Sequence, residues 1–361
     1  MQIIKLTGFV VLAGLVAPLV VPLGAEAQQT VEGLPSVNLK VSGGNRTQNL
    51  FRYVYGPFFT EELPDRSGGA ITTTFGSIEE LGIKGPEILR LLSLGIFDIS
   101  EGTISYMAGE DPHFDGLDLP GVTPDIDTQR EAVEAYKPVL AKIMSEKFNT
   151  KLLSMSPVAL QVFYCRGEID GLASLEGKKI RTFNRAMADL VEAAGASTIN
   201  LAFAEVVPAM QRGVADCAIT GTSAGNTARW WEVTDHLYPL PMGWSMTFFA
   251  ANQDSWARLD PKVQDFLLEE FAGLEDRMWA QAEADVQDGL NCNTGQGECK
   301  EGIPAEPPMT LVQLSDDDRG LAQEILRDHV LVGWAERCGG ECAKEWNETV
   351  GVIVGLEAPV D

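Results

Sequence analysis

Hydrophobic and polar positions along the chain switch repeatedly between a period of two and a period near 3.6. VNLKVSG (37–43) alternates and is β-branched, which predicts a strand. GNRTQNLFRYVYGPFFTEEL (44–63) then carries its aromatic residues on one helical face. GAITTTFGS (69–77) predicts a second strand. PEILRLLSLG (86–95) starts with proline and ends with glycine, the asymmetry expected of a helix. FDISEGTIS (97–105) predicts a third strand. Strand, helix, strand, helix, strand implies βαβ units and a mostly parallel sheet.

The alternation returns further along. ALQVFYC (159–165) and KIRTF (179–183) predict strands, and Met187, Leu190, Val191 and Ala194 fall at helical spacing before Gly195. STINLA (197–202) and VADCAIT (214–220) predict two more strands. Between them Glu205–Arg212 predicts a short helix that tolerates Pro208 in its first turn. The chain therefore holds two α/β units, each with its own sheet. A long helical segment covers 254–290, with Asp260-Pro261 opening a new helix inside it. Another helix covers 315–338, capped by Ser315. Asp316, Asp317 and Asp318 read as acids favoured by its N-terminal dipole rather than as a calcium site.

The length of 361 residues fits two domains. Its first residues break the α/β pattern. Lys5 precedes an apolar run from Leu6 to about Leu23, and Ala25-Glu26-Ala27 matches a small-residue cleavage site. Residues 1–27 thus read as a signal peptide; Pro18, Pro22 and Gly24 argue against a membrane anchor. Export sets the reading of the six cysteines. Cys292, Cys299, Cys338 and Cys342 cluster near the C-terminus and predict two disulfides, with a four-cysteine zinc site as the rival. Cys165 and Cys217 read either as buried thiols or as a bridge. The 27 basic against 52 acidic residues, net −25, exclude nucleic acid and anionic lipid as partners.

The segment LASLEGKKIRTFNRAMADLVEAAGASTINLAFAEVVPAMQRGVADCAITGT (172–222) resembles a known family. Leu175, Gly177, Lys179, Arg181, Gly195, Ala196, Phe203, Glu205, Ala209, Gln211, Gly213 and Asp216 follow in order a pattern of the DctP-type substrate-binding proteins of TRAP (tripartite ATP-independent periplasmic) transporters. The upstream GSIEELGIKGPEILRLLSLGIFDIS is also similar to that family. The resemblance implies two α/β domains of the periplasmic-binding-protein type, joined by hinge strands and a long helix, with a ligand cleft between them. The expected division is 28–159 plus 247–290 against 160–246 plus 291–361. It further implies a monomer in the periplasm that captures a small organic acid without a cofactor or metal. A TRAP permease would be the partner, driven by an ion gradient.

In the family pattern Arg181 pairs with the ligand carboxylate and Phe203 lies against the ligand. A strand-end guanidinium suits that task, because its planar fork matches a carboxylate and stays charged when desolvated. The rival is an internal salt bridge to Glu205 or Asp216. Gln161 stands roughly where many members carry a second basic residue, so a second anionic handle on the ligand is in doubt. Thr220, Thr222 and Ser223 replace the usual amide contact and suit a hydroxyl-bearing or sulfonate ligand. Trp244 is a candidate cleft wall, and Asn45 and Tyr106 are candidates to close from the first domain. A secreted hydrolase-like enzyme is the alternative function. Only His113, His236 and His329 are available to it, and none falls in a metalloprotease motif.

Overall fold

The computed structural model describes residues 33–360, so the expected signal peptide lies outside the described residues. The alternating runs build two sheets. One consists, edge to edge, of Ile71–Gly76 (β2), Val37–Ser42 (β1), Ile99–Thr103 (β3), Met246–Asn252 (β10) and Thr150–Pro157 (β4). The other consists of Thr310–Leu311 (β11), His236–Tyr238 (β9), Gln161–Cys165 (β5), Cys217–Gly221 (β8), Lys179–Thr182 (β6) and Ser197–Asn200 (β7). Helices cover both sheets, giving two α/β lobes.

Both sheets are mixed, which corrects the expectation of mostly parallel ones. β10 runs antiparallel between β3 and β4, and β5 runs antiparallel between β8 and β9. Each is the strand by which the chain enters a lobe from the other one. All seven residues of MTFFAAN in β10 are buried, so it shows no alternation to reveal it as a strand. The helix Ile126–Phe148 likewise went unexpected. Its buried face (Ala132, Val133, Tyr136, Leu140, Ile143, Met144) has helical spacing, but charged residues and an internal Pro138 mask it. The first expected helix lies over 49–66 instead. Pro57 has no N–H to give, and the turns on either side, Leu50–Tyr55 and Phe58–Glu62, widen to i→i+5.

The long helix opens at Pro261 under an Asp260 cap, as expected, but runs to Thr294, where Gly295 turns left-handed. Its first half packs Phe271 against Phe58, Phe59 and Phe249 of the first lobe. Its last turns meet the short helix Thr222–Thr227 of the second lobe. Gly289 makes that crossing possible: a Cβ there would stand 2.4 Å from the Ser223 nitrogen and from the Thr222 carbonyl carbon. The C-terminal helices also reach both lobes. Trp334 and Trp346 donate to the carbonyls of Pro112 and Gly116, while Asp318 accepts from the Leu172 N–H.

The cysteines form three disulfides: Cys292–Cys299, Cys338–Cys342 and Cys165–Cys217. Cys165 and Cys217 face each other directly across β5 and β8, where a free pair of thiols was the other reading. The oxidised protein is therefore expected to take up no alkylating reagent before reduction and six equivalents after it. Intact-mass analysis of periplasmic material checks this, and a thiol alkylated without reductant would contradict the pairing.

Candidate functional site: an inter-lobe pocket around a buried arginine

Two strand connections cross between the lobes, and they hold each other. The Val158 N–H donates to the Ser245 carbonyl at 3.1 Å, and the Gln161 N–H to the Gly243 carbonyl at 2.8 Å. Asp118 secures the second crossing from below. Its Oδ1 accepts the N–H groups of Trp244 and Ser245, both at 2.8 Å, and its Oδ2 accepts from the Ser105 hydroxyl at 2.6 Å. Burial pushes this carboxyl up to about 6, against the lowering effect of those donors.

Arg181 lies at the mouth of the second sheet and is 1% exposed. Its Nε and Nη2 donate to the Leu201 carbonyl at 2.9 and 2.8 Å, and its Nη1 donates to the Ile219 carbonyl at 2.7 Å. Leu201 follows β7 and Ile219 lies in β8, the two strands flanking β6. The guanidinium carbon stands 5.1 Å from the Phe183 ring centre and 5.7 Å from that of Trp230. The expected acid partners are engaged elsewhere. Glu205 pairs with Lys84 at 2.9 Å, and Asp216 accepts the Lys179 N–H at 2.8 Å. No carboxylate among the described residues forms an ion pair with Arg181. Burial lowers its pKa from the ordinary guanidinium value, while the nearby Tyr106 hydroxyl and Glu205 support its charge.

A guanidinium has five N–H groups. Three are spent on carbonyls, leaving one on each terminal nitrogen. A buried ion without a counter-charge costs several kcal/mol in desolvation. Charge-assisted bonds to carbonyls and the two aromatic faces offset part of that. The remainder is available to an anion.

The pocket in front of Arg181 is narrow, with a cavity volume of about 20 Å³. Five of the other expected residues line it: Asn45, Tyr106, Gln161, Phe203 and Thr220. Gln48, Thr103, Val158, Phe183, Ala224 and Ser245 line it too and were not anticipated. Phe183 was legible in principle, since two residues on from Arg181 is the same face of a strand. Thr222, Ser223 and Trp244 stand outside the lining. Thr222 donates to the carbonyls of Asp285 and Val286, and Ser223 to the Asp285 carboxylate. Trp244 is buried in the core beneath the crossing.

Contacts also span the pocket. The Phe203 N–H donates to the Tyr106 hydroxyl at 3.3 Å, and the Tyr106 ring meets Phe183 edge-on at 5.7 Å. The exposed Lys84–Glu205 pair ties the rim of one lobe to the other.

A family model described as bacterial extracellular solute-binding protein, family 7 (DctP) matches residues 51–303. The chain belongs to this family. Among solved structures, a Bordetella pertussis extracytoplasmic solute receptor that binds pyroglutamic acid is 21% identical, with a TM-score of 0.77. That match covers 87% of this chain and 99% of the receptor. The periplasmic ectoine-binding protein of the Halomonas elongata TRAP transporter TeaABC is 20% identical at a TM-score of 0.77, covering 89% and 100%. These neighbours share the two-lobed TRAP receptor fold. An uncharacterised protein of Sinorhizobium fredii is 22% identical over 244 residues, 65% of this chain. The match spans only 44% of that relative's length.

One acid near the family-7 cleft has no hydrogen-bonding partner for a buried oxygen. Asp115 lines the cavity next to the pocket, shared with Tyr106, Phe183 and Asn184, and its Oδ1 is unpaired. Burial, then the charge of Asp118, pushes Asp115 from 3.8 up to about 8. Between these values the folded chain holds a proton that the unfolded chain has released. Raising the pH through that window therefore favours unfolding. Stability to urea is expected to fall as pH rises from about 4 to about 8 through this group. Asp115→Asn is expected to flatten the fall and to unfold at higher urea than wild type above about pH 8. Equal pH slopes for the two proteins would contradict it.

Proposed function

We propose that the chain is the periplasmic receptor of a TRAP transport system, capturing a small organic acid between its lobes with Arg181 against the carboxylate. The observation that carries this reading is a fully buried guanidinium with no acid partner among the described residues, facing an inter-lobe pocket. Family neighbours lend support, with bound pyroglutamate, orotate and galacturonate. The lobes divide as 28–159 plus 247–290 and 160–246 plus 291–361, with 1–27 as the export signal. Asn45 and Tyr106 close from the first lobe onto Arg181, Gln161, Phe203 and Thr220 of the second. A ligand that touches both lobes favours the closed form by its higher affinity for it. The closed monomer then docks on the membrane permease, whose ion gradient supplies the energy.

An enzymatic reading finds less support. The lining of the pocket includes no carboxylate, histidine or cysteine. Tyr106 is the one titratable neutral group in that lining, and it lacks the acid or imidazole beside it that would activate a hydroxyl. Under the receptor reading the ligand is returned unchanged, which chromatography of released ligand checks.

Arg181→Ala is expected to weaken carboxylate binding by about 30-fold to several thousand-fold, the effect of removing one partner of a desolvated charge pair. It also strips donors from the Leu201 and Ile219 carbonyls, so some loss of stability accompanies it. Arg181→Lys separates the two effects, because an ammonium keeps the charge but not the parallel fork. Calorimetry on folded variants, verified by circular dichroism, is the measurement. Unchanged affinity in Arg181→Lys and Arg181→Ala would remove the assignment.

A further inference from the structure

Resting on the receptor reading above, we propose that the ligand is a monocarboxylate whose neutral body carries a hydroxyl or ring N–H donor, and that Gln161 accepts this donor. Gln161 opens β5, which runs antiparallel to β8, so it reaches the same edge of the sheet as Arg181 on β6. β8 lies between them, so the two strands run about 10 Å apart, with Gln161 level with Gly221 and Arg181 level with Ala218. Both side chains line the same pocket.

Gln161 is 1% exposed, and its Oε1 has no hydrogen-bond partner. Its other polar groups are engaged, apart from the second N–H of Nε2. The backbone N–H donates to Gly243, the backbone carbonyl accepts from Met242, and Nε2 donates to the Ala159 carbonyl at 3.1 Å. That last bond fixes which end of the amide is which, since a flipped amide would set oxygen against oxygen. An acceptor with no donor is therefore left buried at the pocket wall. On the same edge of the sheet, the terminal nitrogens of Arg181, beside the Tyr106 hydroxyl, can take the two oxygens of one carboxylate.

The charge count narrows the ligand further. Arg181 is the only charged residue in the lining. A second carboxylate on the ligand would be buried with no cation to meet it. A monocarboxylate with a purely apolar body would leave Oε1 unpaired. Asn45, Gln48, Thr103 and Thr220 provide neutral polar contacts for a polar body.

Titration calorimetry with defined probes tests this. Pyroglutamate and lactate bear a donor; cyclopentanecarboxylate and 2-methylpropanoate have similar shapes without one; succinate and glutarate bring a second carboxylate. At least one donor-bearing acid is expected to bind more tightly than its donor-free counterpart and than both dicarboxylates. Gln161→Leu is expected to weaken that acid by roughly 5- to 150-fold and to tighten the donor-free acids, which no longer strip Oε1 of a partner. Gln161→Lys is expected to admit the dicarboxylates. Dicarboxylates or donor-free acids binding wild type as tightly, no binding by either donor-bearing acid, or an indifferent Gln161→Leu would each overturn the proposal. Failure of the receptor reading looks different: an acid that binds equally well to Arg181→Ala.

Discussion

A guanidinium buried among backbone carbonyls and aromatic faces, with no acid beside it, is the constraint on which the second lobe depends. Arg181 bridges the strands on both sides of its own by donating to Leu201 and Ile219. It thereby satisfies carbonyls at the sheet edge where the ladder runs out. Phe183 and Trp230 cover the cation, and Phe203 stacks on Trp230 at 5.3 Å. In a chain with 52 acidic residues, none comes into ion-pair range of this cation among those described. The nearest candidate, Glu205, turns outward to Lys84.

Carboxylates play the complementary role at the joints between lobes. Asp118 holds the crossing strand through two backbone N–H groups, where an apolar side chain would leave both unpaired. Asp285, on the long helix, accepts from Asn49 at 2.8 Å and from Ser223 at 3.2 Å. One carboxylate thus touches both lobes at once. Burial pushes it up to about 6 in spite of these donors. The joints are polar and directional, and such contacts specify an angle in a way that apolar packing does not.

Much of this was legible in the sequence. Amphipathic elements with clean punctuation, such as β1, β6 and the helix opened by Asp260-Pro261, lie close to their expected places. The elements that escaped are those whose surroundings erase the pattern. β10 is buried on both faces, and Ile126–Phe148 alternates charges over a narrow apolar stripe. Arg181, Gln161 and Tyr106 gather in one pocket because strand ends converge there, which order along the chain anticipates. Ser245 and Val158 belong to it only through the pairing of the two crossings, a contact between residues 87 positions apart that local spacing does not reveal. Thr222 and Ser223 come directly after the strand that carries Thr220, yet the long helix, about 60 positions further on, claims their hydroxyls.

The close approach at Gly289 has a mechanical meaning. There the long helix touches the main chain of Thr222 and Ser223 directly, with no side chain between to change rotamer. Two backbones in such contact resist sliding, because any displacement along the helix drives rigid atoms together. Small rotations about the point of contact meet no such barrier. At this crossing, sliding of the long helix along the Thr222–Ser223 main chain costs more than rotation about the point of contact. Any larger residue at 289 would push the two backbones apart.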